Sequence, residues 1–291
     1  MKAFARILFA GAISIPVVLG VGVSAAHAGG WPHRHLPTCS SGNVASGTYA
    51  GLDVTGDCTV AAGTTVAIQG DLVLDPGATF NAFSMSTVTV TGNVAVGRGA
   101  TLWLGCTLTS IPGGPSPCTG KTNDVVEGSI VADHPWTMYL DGDTIWGDLT
   151  SVGGGPGVTL VPYVNFPIKD NVIRGDVSIT GWQGTWFGFV RNVSFGNVLL
   201  AGIKAADPDS TEVVTNAVGG NLVCFANSPA AQLGDSGGFP NFAGGHKIGQ
   251  CAGLARQVHL ISSGRSRDPP DNFASKEVRV LPELWSLKLS S

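Results

Sequence analysis

The densest acidic run in the chain is Asp141-Gly142-Asp143, followed closely by Asp148. Two carboxyl groups about 5–10 Å apart, flanking a glycosidic bond, can cleave it. One acts as acid and the other as base or nucleophile. Asp141 and Asp143 stand at i and i+2, so on a β-strand they share a face. They are the catalytic candidates. No other motif competes with them. The chain has no Ser nucleophile elbow and no dinucleotide fingerprint, and Gly153-Gly154-Gly155-Pro156-Gly157 lacks the Lys-Ser/Thr of a phosphate cradle.

Two other groups of residues could bind without reacting. Trp182, Trp186, Phe187 and Phe189 crowd a short stretch. Exposed flat rings would stack on sugars, and buried ones would pad a loop against the core. Asp148 and Asp176 hold equivalent positions in consecutive repeats. Carboxylates ~5 Å apart repel unless a cation such as Ca²⁺ bridges them. The Ca²⁺-binding nonapeptide repeat is absent, so no cofactor is required by motif. A solvated polar edge is the simpler reading of the pair.

The element that positions all of these is a repeat. A Gly followed by a small polar residue and an aliphatic one recurs at Gly70, Gly92, Gly128, Gly147, Gly175, Gly196 and Gly220, at intervals of 22, 36, 19, 28, 21 and 24 residues. Position −2 is apolar except at Ser194, and position +2 is always Leu, Val or Ile. Even offsets are thus mostly apolar and odd ones mixed, which is the period of a strand with one buried face. A period near 20 built from such phrases marks a solenoid of stacked coils. The two long intervals contain Gly/Pro-rich excursions, one bounded by Cys106 and Cys118 and one at Gly153–Gly157. Position −4 carries Asp124, Asp143, Asn171, Asn192 and Asn216, either as turn residues or as an amide ladder between coils. Asp124 and Asp143 would be neighbours there, so one is protonated or a cation bridges them.

The ends read differently. Lys2 and Arg6, an apolar Ile7–Val23 stretch and Ala26-His27-Ala28 make residues 1–28 a secretory signal. No later stretch reaches the ~20 apolar residues of a spanning helix. Residues 29–41 read as a flexible leader, in which His33 and His35 are solvated bystanders. Gly42–Asp57 reads as an initial coil, with Gly56-Asp57 an imperfect copy of the repeat. The solenoid covers 42–253, with Phe225–Gln250 as a cap of loops, and 254–291 is a weakly ordered tail. Losing Lys2 and Arg6 takes 16 basic residues to 14 against 20 acidic ones, a formal charge of −6. That sign gives no support for nucleic-acid binding. Six cysteines in an exported chain point to disulfides. Six allow 15 connectivities, and the economical pairing is Cys39–Cys58, Cys106–Cys118 and Cys224–Cys251.

The V-x-G-[DN]-V phrase, with Gly220-Asn221-Leu222-Val223-Cys224, Asn227-Ser228-Pro229 and Gly249-Gln250-Cys251, resembles a family of secreted actinobacterial proteins of unknown function over about 42–251. The coil phrase is also similar to parallel β-helix and bactofilin-like proteins. Gly244-Gly245-His246 and Ile203-Lys204 match fragments of the polygalacturonase pattern, but in the wrong order and without its acidic motifs. The resemblance implies a fold and an address rather than an activity.

The expectation is an all-β, right-handed parallel β-helix of about eight coils with disulfide-stapled loops. It is exported to the extracellular space and non-catalytic. Its role is structural or adhesive, its partner an extracellular polysaccharide or cell-wall glycan, and it is a monomer or associates end to end. The alternatives are a polysaccharide lyase or glycoside hydrolase using Asp141 and Asp143, and a polymerising scaffold.

Overall fold

The structure is a computed structural model that describes residues 36–108, 118–160 and 163–256. The signal (1–28), most of the leader and the tail beyond residue 256 lie outside the described residues. Three rows of short parallel strands run through the molecule. The first row has nine: Gly47–Tyr49, Thr65–Ile68, Thr87–Val90, Val125–Val126, Thr144–Ile145, Val172–Ile173, Val193–Ser194, Ala217–Val218 and Phe242–Ala243. The second runs Leu72–Leu74, Val94–Val96, Ile130–Asp133, Leu149–Val152, Val177–Thr180, Val198–Ala201, Leu222–Phe225 and Lys247–Gly249. The third runs Thr79–Asn81, Thr101–Gly105, Thr137–Asp141, Asn165–Lys169, Trp186–Val190 and Glu212–Val214. Leu52–Thr59 serves both of the latter rows, pairing with Leu72–Leu74 through its first half and Thr79–Asn81 through its second. This is an all-β parallel solenoid.

The alternation in the repeat explains the core. Positions −2, +2 and +4 of each phrase are buried, and all but Ser151 and Ser194, from Ile68, Leu72 and Leu74 to Val218, Leu222 and Cys224, join one apolar cluster. The third row adds Phe80, Leu102, Leu140, Phe166, Phe187 and Phe189 to it. The register never slips within these rows, because a one-residue slip would turn every buried side chain outward.

Two boundaries differ from expectation at the N-terminal end. Thr38–Asn43 is a strand parallel to Leu52–Thr59, held by the Cys39–Cys58 disulfide, so the leader ends before it. Gly56 lies inside the Leu52–Thr59 strand rather than at a corner, because its backbone packs against the Ser40 carbonyl.

The segment expected as a loop cap instead forms a further coil. Phe242–Ala243 and Lys247–Gly249 extend the first and second rows, and Gly245 continues the glycine stack on Gly220. This phrase has His246 at +1 and Lys247 at +2 in place of a small polar and an aliphatic residue, which hides it from the repeat pattern. A 3₁₀ turn, Gln250–Arg256, then places Cys251 and Leu254 against the core, and Cys224–Cys251 ties it down. Cys106–Cys118 closes the inserted excursion. All three pairings match the economical one.

Candidate functional site

The corner between the first and second rows is the most regular part of the surface. The repeat Gly N–H donates to the Gly carbonyl one coil before it at Gly92, Gly128, Gly147, Gly175 and Gly220, as in Gly92 to Gly70 (3.0 Å) and Gly147 to Gly128 (2.9 Å). A Cβ on Gly196 would overlap Asp176 Oδ1 and the Gly175 carbonyl. The glycine is therefore required by close backbone approach. At position +1 each side chain accepts the backbone N–H of its successor: Asn93 N–H to Asp71 Oδ1 (2.7 Å), Asp176 N–H to Asp148 Oδ1 (2.8 Å) and Asn221 N–H to Asn197 Oδ1 (3.0 Å). Asp148 and Asp176, the Ca²⁺ candidates, are members of this exposed ladder. The backbone N–H at each step places a partial positive charge on these oxygens and offsets part of their mutual repulsion.

Position −4 forms a second ladder, and this one is buried. Asn171, Asn192, Asn216 and Asn241 each accept the N–H of the preceding rung through Oδ1, at 2.8–3.1 Å. Each donates Nδ2 to a main-chain carbonyl: Leu140, Ile168, Phe189 and Val213 respectively. Two earlier rungs hold Asp143 and Asp124 where the amide would stand.

Asp141 joins these two carboxyls at the end of its third-row strand, beside Thr107. Asp141 and Asp143 are 0 % exposed and Asp124 is 1 % exposed. Asp143 Oδ2 accepts the Asp141 N–H (3.1 Å), Asp141 Oδ1 accepts the Thr107 hydroxyl (2.9 Å), and Asp124 Oδ1 accepts the Val88 N–H (2.6 Å). Burial, reinforced by the charges of Asp124 and Asp141, holds the Asp143 carboxyl well above the usual carboxylate range. Burial pushes Asp124 up to about 6 against its hydrogen bonds. Lys169, the strand partner of Asp141, is buried and its ammonium is lowered by desolvation, with Asp141 opposing the shift. The catalytic candidates do meet, but in a site closed to a polymer.

The aromatic candidates are corrected by burial. Trp182, Phe187 and Phe189 are fully buried, and Trp186 nearly so. Trp182 packs on Phe166 (5.1 Å between ring centroids) and donates Nε1–H to the Trp136 carbonyl (3.1 Å). Trp186 covers Gly188 and donates to Glu212 Oε1 (3.0 Å). Their large apolar area is spent on the core, so they offer no stacking surface.

The exposed rings lie elsewhere. Position −1 of three consecutive coils holds Trp146, Arg174 and Phe195. The Arg174 guanidinium carbon lies 4.4 Å from the Trp146 ring centroid and 5.8 Å from that of Phe195. Trp146 is 53 % exposed and Phe195 36 %. The aligned repeat contains this column, which emerges once position −1 is read in the register used for −2 and +1.

No protein family, curated protein or solved structure matches the chain. The site must be read from its own residues.

Two more features escaped sequence reasoning. A groove of about 480 Å³ is lined by Arg98, His134, Gln183 and the Gly153–Gly157 run, and two of these, Arg98 and His134, pair with Asp133. Asp209, Glu212 and Asp235 offer carboxylate oxygens within 4.8 Å of one another, and burial pushes Glu212 up to about 7. Both join residues that are distant in sequence at loops where the repeat is silent.

Proposed function

We propose that this chain is an exported, non-catalytic β-solenoid that binds polysaccharide at the cell surface or in the surrounding matrix. The observation that carries the reading is the exposed Trp146–Arg174–Phe195 column beside the polar +1 ladder. Aromatic faces and a row of acceptors at strand spacing, ~4.8 Å apart, suit an extended chain of sugars laid along the axis. The three disulfides fit an oxidising compartment, and among the described residues no helix is long and apolar enough to cross a membrane. Complete burial of Asp141 and Asp143 counts against the hydrolase alternative, since a catalytic carboxyl must reach the bond it cleaves. The turn that seats Cys251 and Leu254 over the last coil counts against end-to-end polymerisation.

The test is a polysaccharide pulldown with reducing-end release measured in the same wells. Binding without release, lost in Trp146→Ala and Phe195→Ala but kept in Trp182→Phe, is the expected outcome. Release that disappears in Asp143→Asn would make the protein an enzyme.

A further inference from the structure

Arg174 differs from the other arginines whose side chains are described. Arg98 is paired with Asp133 at 3.4 Å, and Arg191 holds Asp170 through two nitrogens, each at 2.7 Å. Arg174 has no carboxylate within ion-pair distance among the described residues, although acidic side chains surround its column. Asp148 and Asp176 flank it at position +1, and Glu127 precedes Trp146 at position −1.

Asp148 and Asp176 are engaged along the +1 ladder. Asp148 Oδ1 accepts the Asp176 N–H, and Asp176 Oδ1 accepts both the N–H (2.6 Å) and the Nδ2 (3.2 Å) of Asn197. Instead of a carboxylate, Arg174 has an aromatic ring on either side. Rings bracketing a guanidinium fix its plane while leaving its edge N–H groups unsatisfied. A planar fork of donors held ready in this way suits a carboxylate or a sulfate, which it can grip through two parallel hydrogen bonds.

We infer that Arg174 is the specificity-determining residue of the binding edge, and that it reads one carboxylate or sulfate group of an acidic polysaccharide whose charged sugars are separated by neutral ones. This rests on the polysaccharide-binding reading above. The spacing of charge follows from the same surface. A polymer charged on every sugar would bring further anions onto Asp148 and Asp176 within a Debye length, where they repel. Toward the C-terminal end the +1 row becomes Asn197, Asn221 and His246, which accepts a neutral sugar beside the charged one. Trp146 and Phe195 then cover the apolar faces of the sugars on either side.

Affinity electrophoresis of the mature, oxidised protein tests this with three gels. One contains hyaluronan, in which glucuronate alternates with a neutral amino sugar. The second contains polygalacturonate, charged at every residue, and the third contains neutral dextran. Retardation should be strongest in hyaluronan and should weaken as salt rises. Arg174→Gln should reduce that affinity by about ten- to a hundredfold, the worth of hydrogen bonds to a charged group. Arg174→Lys, which keeps the charge and loses the planar fork, should recover only part of it. Equal retardation by dextran, or an Arg174→Gln variant that binds like the parent, overturns the inference while leaving the polysaccharide-binding reading standing. Retardation in none of these gels, or in the pulldown, removes both. Thermal midpoints measured on each variant separate lost binding from lost folding, since Arg174 is exposed and its replacement should leave the midpoint unchanged.

Discussion

Asp143→Asn should stabilise the protein at neutral pH, the reverse of what a cation-holding carboxylate requires. The buried ladder needs a side chain that accepts an N–H and donates to a carbonyl. Asn171, Asn192, Asn216 and Asn241 do both. An ionised Asp143 can only accept, and its Oδ1 has no partner among the described residues. It also lies beside Asp124 and Asp141, whose charges raise its proton affinity on top of burial. An amide restores one donor, worth about 1 kcal/mol net, and removes a buried like-charge interaction, so a gain of about 1–3 kcal/mol is expected at pH 8. For a domain of this size that is roughly 2–10 °C in thermal midpoint.

The sign of the pH dependence follows from linkage. A carboxyl whose folded-state affinity for protons is raised leaves stability intact below its ordinary titration range. Stability is then lost as pH rises through the folded value. For Asp124, moving from 3.8 to about 6, the loss between those values is about 3 kcal/mol. The advantage of Asp143→Asn should therefore shrink at pH 4.5, where the parent carboxyl is neutral and can donate. Parallel urea titrations at pH 4.5 and pH 8 measure it. A variant less stable than the parent at pH 8, or a gain identical at both pH values, would refute the protonation argument.

The two ladders should respond unequally to mutation. Asn192→Ala removes an acceptor for the Asn171 N–H and a donor to the Ile168 carbonyl and should cost about 3–5 kcal/mol, because both orphaned groups are buried. Asn197→Ala in the exposed ladder should cost under about 1.5 kcal/mol, since water replaces its bonds, and the difference is read from denaturation midpoints. Gly196→Ala should cost more than about 2 kcal/mol, because the methyl meets a main-chain carbonyl that cannot move without breaking the stack. Gly77→Ala, whose Cβ would meet nothing within 4 Å at a φ of +79°, should cost about 1 kcal/mol, as thermal melts of the two variants would show.

The sequence by itself determined the solenoid. Positions −2, +2 and +4 repeat with period two in each phrase. A chain with that pattern buries one side of every strand only by stacking coils, so local chemistry leaves little choice. The economical cysteine pairing matched all three bridges, and the −4 and +1 columns were visible as recurring polar positions, but that both are hydrogen-bonded ladders was decided by the structure. What only the tertiary structure decided is which side chains face solvent where the repeat is interrupted. Trp182 and Trp186 lie outside the repeated phrase, and whether such rings cover the core or a ligand depends on what packs against them, here Phe166 and Glu212. Asp141 and Asp143 share a strand face at i and i+2, yet they are buried among residues distant in the chain, with Thr107 donating to Asp141 and Asn171 accepting the Asp143 N–H. Trp146, Arg174 and Phe195 are separated by 28 and 21 residues and touch only because one corner of the solenoid keeps its register. Burial and charge pairing are sums over neighbours in space, and the chain order of a loop does not contain them.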